Sequence, residues 1–360
     1  MTDCIVVGGG VIGLLTAREL KKRGVDVLLI EQGRLGGESS WAGGGIISPL
    51  YPWLYEDSIN ALAQVSKSLY GELTSELTQE SNIDCELIQS GLLIAGDSEM
   101  QQAIEWSKKW LEPVSLIHNQ DDMHHIEPQL DASFDDGIWM PEIRQVRNPN
   151  LVAALKASLA RRDIRYMENT PVDELLIKDN RMSGVRVGHK AILSDKVVIA
   201  SGAWSAKLVN NTIDVEPIKG QMIMYKGVPD MINRIVLFEG HYIIPRADGR
   251  ILAGSTLEKK GFDKSISVDA MQELHQAAVD IIPALADTPV ERQWSGLRPG
   301  TEHGVPYICE HDEVTGLFIN AGHYRNGIVL GPASAGLMAD LVCAAAPLLD
   351  KSPYVIGAIH

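Results

Sequence analysis

Gly8, Gly10 and Gly13 stand in the spacing GxGxxG, directly after the apolar run Cys4-Ile5-Val6-Val7 and at the head of an amphipathic stretch. That spacing suits phosphate. The first glycine permits a tight turn, the second lets backbone approach a pyrophosphate, and the third lets the helix pack close to the sheet. Val11 and Ile12 then open a helix whose free N–H groups and partial positive charge face the phosphates. Glu31, with Gln32 beside it, ends the next apolar run and is placed to accept from ribose hydroxyls, an arrangement that disfavours a 2′-phosphate. The motif predicts a dinucleotide site and leaves FAD and NAD equal.

Three further stretches favour FAD. "GGESSWAGGGI" (36–46) is a second glycine-rich loop carrying Ser39, Ser40, Ala42, Gly43 and Gly44. "VVIASGAWS" (197–205) is an apolar run ending in a small-residue turn at Ser201, Gly202 and Trp204, suited to lie against a cofactor. "NAGHYRNGIVLGPASAG" (320–336) sets His323, Arg325, Asn326, Gly327 and Ile328 before a helix whose dipole would stabilise negative charge on a reduced flavin. An extended FAD needs this additional set of contacts.

Arg298, in "GLRPG", offers a planar guanidinium able to clamp a carboxylate, or equally to form an ordinary ion pair. It is expected in a loop after the strand "RQWSGL". Tyr242 lies in an alternating strand and reads as a core aromatic or a site hydroxyl. His124 and His125 are adjacent, so on a helix they point to different faces, and no metal site is expected.

The elements that must position these groups follow from periodicity. Residues 4–7 and 27–31 read as buried parallel strands joined by a helix over 11–23 that Gly24 ends. Helices are expected over 58–80, 98–111, 149–163 (Asn148 as cap, Pro149 first) and 267–282, and strands over 85–95 and 136–146. Residues 185–204 read as a hairpin and a buried strand. Alternation over 216–256, with Asp-Gly inside "RADGR" (246–250), predicts antiparallel sheet. The run 316–345 reads as strand, loop and helix. The pattern is that of an α/β protein: a Rossmann-type dinucleotide domain in separated pieces (1–80, 145–215, 295–360), with an inserted α+β, antiparallel-sheet substrate domain (81–144, 216–294).

Composition narrows the class. A net charge of −15 opposes nucleic-acid binding. Cys4, Cys85, Cys309 and Cys343 lie far apart without CxxC spacing, which suits reduced thiols and the cytoplasm. The first strand begins close to Met1, leaving no room for a signal peptide. The most apolar tail, 335–349, is broken by Asp340 and is shorter than the ~20 residues a membrane helix needs, so no stable membrane insertion is expected. A homo-oligomer is compatible with all of this.

Taken together, "VVGGGVIGLLTAREL", "SSWAGGGI", "VVIASGAWS", "YIIPRADGRILAGST", "WSGLRPGTEHGVPYI" and "GHYRNGIVLGPASA" resemble the D-amino-acid oxidase family of flavoproteins, and its glycine-oxidase-like members in particular. The resemblance spans residues 5 to 335. It implies non-covalent FAD, with Val172 added to the cofactor contacts. It also implies hydride transfer from glycine, sarcosine or a small D-amino acid to flavin, with O2 as acceptor giving hydrogen peroxide. In the family such oxidation can feed thiazole assembly for thiamine. Arg298 matches the arginine that pairs with the substrate carboxylate, Tyr242 a tyrosine bonding the same group, and Arg325 an arginine near the flavin and substrate entrance. Ile46 and Leu257 stand where methionines are familiar and are expected to line the pocket. The alternatives are a D-amino-acid dehydrogenase passing electrons to a quinone, or a flavin domain acting on a modified tRNA base.

Overall fold

The computed structural model describes residues 2–96 and 99–360. Strand β1 (Cys4–Val7), helix α1 (Val11–Lys22) and strand β2 (Val27–Ile30) form the expected parallel unit, with β1 and β2 in register from Cys4↔Val27 to Val7↔Ile30. Gly24 ends the helix at φ +82°, a left-handed conformation that glycine adopts freely. Lys21 and Lys22 occupy the last turn, where the helix dipole favours cations.

β1 and β2 lie inside a six-stranded sheet of order Tyr307–Glu310, Leu317–Ala321, Val197–Ile199, β1, β2, Arg165–Met167. All neighbours are parallel except the first pair. Both faces are covered, as parallel strands require. Successive side chains alternate between faces: Cys4, Val6, Val27 and Leu29 pack with helices α1, Asp57–Ser81, Asn148–Arg161 and Gly327–Val342. Ile5, Val7, Leu28 and Ile30 pack with a three-stranded antiparallel sheet containing Arg181–Val187. That helical layer also buries Arg18, 1% exposed, against Glu76, Glu80 and Ser158.

The second sheet has eight strands, in the order Val290–Gly300, Glu216–Lys226, Arg250–Gly254, His241–Pro245, Ile235–Phe238, Leu92–Ala95, Gly137–Met140, Ser115–Ile117. It is antiparallel except where Ile235–Phe238 runs parallel to Leu92–Ala95. The "RADGR" turn closes the hairpin, with Gly249 at φ +85°.

Several expectations need correction. Arg298 is not in a loop: the Val290–Gly300 strand runs through it, Arg298 pairing with Ile218 and Pro299 with Pro217. This is an edge strand, where proline is tolerated. The segment boundary placed at 295 falls inside that strand. Asn148 is the first helical residue rather than the cap; Arg147 precedes the helix and contributes no capping side chain. Ser39–Ala42 forms one helical turn within the glycine-rich loop. His124 and His125 lie on a short helix, Gln120–Ile126, capped by Asn119. Of the helix expected over 98–111, Met100–Trp110 is helical, and Ser98 lies outside the described residues. Among the described residues no helix is long and apolar enough to cross a membrane.

Candidate cofactor and active site

A cavity of about 540 Å³ opens where the carboxyl ends of β1, β2 and Val197–Ile199 face the edge of the eight-stranded sheet. Gly8, Gly10, Val11, Ile12, Glu31, Gln32, Ser39, Ser40, Ala42, Gly43, Gly44, Val172, Ser201, Gly202, Trp204, His323, Arg325, Asn326, Gly327 and Ile328 all line it, as do Arg298 and Tyr242. Gly13 does not. A Cβ there would overlap the Gly8 carbonyl, so Gly13 serves the contact between helix and first turn, not the cavity wall. Gly8 has φ +111°, and a Cβ on it would overlap the Ala200 carbonyl.

The glycine turn is held by side chains from both directions. Glu31 Oε2 accepts the Gly9 amide at 2.6 Å and Oε1 accepts that of Gly33 at 2.7 Å. Each carboxylate oxygen retains a further lone pair for a hydroxyl donor. Ser40 Oγ accepts the Val11 amide at 2.8 Å, and Ser39 Oγ donates to the Leu297 carbonyl. The loop is thereby tied to α1 and to the strand carrying Arg298. Behind it, the buried Arg246 donates to Gly44 O at 2.8 Å, Gln145 Oε1 at 2.6 Å and Val146 O at 3.0 Å. Burial brings the Arg246 guanidinium down to about 10.

Two helices, α1 and Gly327–Val342, begin at the cavity, and neither has a side-chain cap or an acid in its first turn. Their first N–H groups therefore need outside acceptors. His323 Nε2 and Asn326 Nδ2 are buried in the same wall without a partner among the described residues. Buried polar atoms are normally paired. A glycine-walled cavity lined by two helix N-termini, a carboxylate and unpaired buried imidazole and amide groups fits FAD. Burial pushes the His323 imidazole down to about 3, so the ring there is neutral.

In the same cavity Arg298 donates from Nη2 to Ser255 Oγ at 2.6 Å and from Nη1 to Thr256 O at 3.2 Å. Both acceptors are neutral, so the charge is left for a ligand. Burial lowers its pKa, opposed by the nearby Tyr242 hydroxyl, and the guanidinium stays charged. Tyr242 is 7% exposed, and its hydroxyl lies beside the Arg298 guanidinium and 3.6 Å from Met222 Sδ. Sulfur is a weak acceptor, leaving the hydroxyl free for a stronger one. Arg325 follows Tyr324, which is left-handed at φ 45°, and its charge acts on Tyr51 and Tyr55. Ile46 lines the cavity as expected; Leu257 does not, being 59% exposed.

The reading of the residues missed Gly220, Met222, Ser255 and Arg246. Gly220 carried a signal, since a glycine inside an alternating strand marks a close approach. Arg246 carried none, because its acceptors Gly44, Gln145 and Val146 come from two segments distant in sequence. Among the described residues, no cluster of three or more His, Cys, Asp or Glu side chains is arranged to hold a metal ion.

This combination of doubly covered sheet and dinucleotide cavity defines an FAD-dependent oxidoreductase. Residues 3–341 match the family model described as DAO, FAD dependent oxidoreductase, and the chain belongs to that family; its cofactor is FAD. Among curated members, the glycine oxidase of Pseudomonas aeruginosa is 43% identical, the match covering 97% of each chain. The bifunctional protein ThiO/ThiG of a Nostoc species is 31% identical over 98% of this chain and 54% of its own. The crystal structure of glycine oxidase from Geobacillus kaustophilus superposes with a TM-score of 0.93 at 31% identity, covering 100% of this chain and 99% of the other.

Proposed function

We propose that this flavoenzyme oxidises glycine or another small amino acid, sarcosine and small D-amino acids included. The amino acid, O2 and water become the oxo acid, ammonia or amine, and hydrogen peroxide. The observation that carries the reading is Arg298: a half-buried guanidinium in the cavity wall whose hydrogen bonds go to neutral oxygens, with the Tyr242 hydroxyl beside it.

Bound FAD supplies the two-electron acceptor. The chain supplies orientation, which is the larger requirement when a neutral amine is oxidised, because no strong base is then needed. Arg298 fixes the plane of the carboxylate through two N–H groups, and Tyr242 donates to the same group. Ile46 and Met222 close the apolar side and limit the substrate's side chain. The neutral His323 and the N-terminus of Gly327–Val342 offer donors where the cofactor becomes electron-rich.

Gly8, Gly10, Val11, Ile12, Glu31, Gln32 and the 39–44 loop are assigned to FAD, with Val172, Ser201, Gly202, Trp204 and residues 323–328. The discontinuous division into a cofactor-binding and a substrate domain is retained as part of this reading. The four free cysteines suit a cytosolic setting, and a homo-oligomer is compatible with it. The bifunctional Nostoc relative supports a place in thiamine assembly. The oxidase relatives do not favour the quinone-linked or tRNA-directed alternatives.

The deciding experiment mixes the FAD-loaded protein anaerobically with a panel of amino acids and follows bleaching of the flavin, then admits air. Bleaching by glycine or sarcosine and rapid recovery in air are expected. Bleaching only by large or acidic D-amino acids, or slow recovery, would reject the reading.

A further inference from the structure

Arg298 is positioned by an empty space as well as by its hydrogen bonds. Its guanidinium lies over Gly220, on the neighbouring strand Glu216–Lys226. A Cβ on Gly220 would overlap Nη1, Nη2 and Cζ together. Gly220 is buried and lines the cavity between the buried Lys219 and Gln221. Its φ is not left-handed, so the backbone would accept other residues; only the space above it excludes a side chain.

One edge of the same group rests against Ser255 and Thr256, the hydroxyl of Ser255 standing 2.6 Å from Nη2. That segment is itself fastened. Thr256 Oγ1 accepts the Gln221 amide at 2.9 Å and donates to Glu258 Oε1 at 2.7 Å. Glu258 in turn pairs with the buried Lys219 at 3.3 Å. The guanidinium thus has a bare floor from one strand and a side rail from the next, and the two are tied to each other next to it.

We propose that Gly220 and Ser255 are positioning residues that set the depth and plane of the Arg298 guanidinium, and through it the size of amino acid the site accepts. With no side chain at 220 the guanidinium sinks into the sheet and leaves cavity length for the substrate. A methyl there lifts it toward the cavity and shortens the site. The proposal rests on the reading that Arg298 receives the substrate carboxylate.

The test uses the FAD-loaded enzyme and acetate, a carboxylate that cannot reduce the flavin, titrated by its perturbation of the flavin spectrum. In G220A the atoms displaced are the far end of a flexible side chain, so FAD content and Tm should stay at parent values. Acetate affinity should fall by about 10–100-fold, the scale of a misplacement near 1 Å. The KM for glycine should rise more than kcat falls, with sarcosine penalised more than glycine. S255A should weaken acetate about tenfold, the effect of one lost hydrogen bond, and S255T, which keeps the hydroxyl, should restore most of it. R298A separates the two levels. If R298A binds acetate as the parent does, the reading of Arg298 fails. If R298A loses acetate while G220A and S255A bind it normally, the positioning proposal is overturned. Loss of FAD or of Tm in G220A with unchanged acetate affinity also overturns it.

Discussion

The Gly9 amide donates to Glu31 Oε2 at 2.6 Å, so the carboxylate just after β2 braces the first glycine turn while also lining the cavity. Glu31→Ala should weaken FAD binding by about 1–3 kcal/mol, the cost of leaving buried donors unpaired. Glu31→Gln keeps an acceptor and should lose less. Fluorescence titration of the apoprotein with FAD measures both, and parent-like affinity in Glu31→Ala would remove this residue from the site.

Arg298→Ala should lower kcat/KM for glycine by the equivalent of about 2–5 kcal/mol, because it leaves a substrate carboxylate unpaired in the cavity. Arg298→Lys should also lose heavily, since a point charge does not reproduce a planar fork. FAD content should survive both changes. A neutral amine without a carboxylate is the control: its turnover should depend far less on residue 298.

His323 gives the stability a sign with pH. Its folded pKa is held near 3, below the ordinary 6.5, so the unfolded chain takes up a proton the folded chain refuses. The ring costs nothing above pH 6.5. Below it, stability falls by about 1.4 kcal/mol per pH unit until the folded pKa is reached. Urea midpoints compared at about pH 7.5 and about pH 5.5 should show this loss in the parent, and a loss smaller by about 1.4 kcal/mol in His323→Asn. Equal slopes in the two proteins would refute the burial of a neutral ring.

Arg18, 1% exposed, pairs with Glu76 at 2.9 Å and also with Glu80. Arg18→Met removes one partner of a buried ion pair, which costs about 3–5 kcal/mol. Arg162 and Lys22 remain on the same acids, so the low end is expected. Chemical denaturation reads the loss, and kcat at saturating FAD should not change.

The parts of the fold that were legible are those written in consecutive residues. β1, α1 and β2 follow from two apolar runs around a glycine motif; the 197–205 and 320–328 stretches reach the cavity because each ends a strand of the same sheet, and the 36–46 loop, which follows β2, joins them there. What was hidden depends on partners remote in sequence. Arg298 was expected in a loop, yet Val290–Gly300 is an edge strand, one side of which is unpaired, and proline is tolerated there. Arg18 sits in a helix whose apolar period explains its neighbours, and Glu76, Glu80 and Ser158 from two other helices make its burial tolerable. Leu257 adjoins the pocket in sequence, but its side chain turns to solvent.

The strand order also constrains synthesis. β1 is central, paired on one side with Val197–Ile199, which in turn pairs with Leu317–Ala321, and α1 packs on Gly327–Val342. At about 5–20 residues per second, a ribosome delivers the far partners of β1 some tens of seconds after β1 itself. The second helix N-terminus at the cavity comes later still. Cofactor capture is therefore an event of the finished chain: nascent chains arrested before residue 327 should emerge without flavin, and those released after residue 342 should take it up.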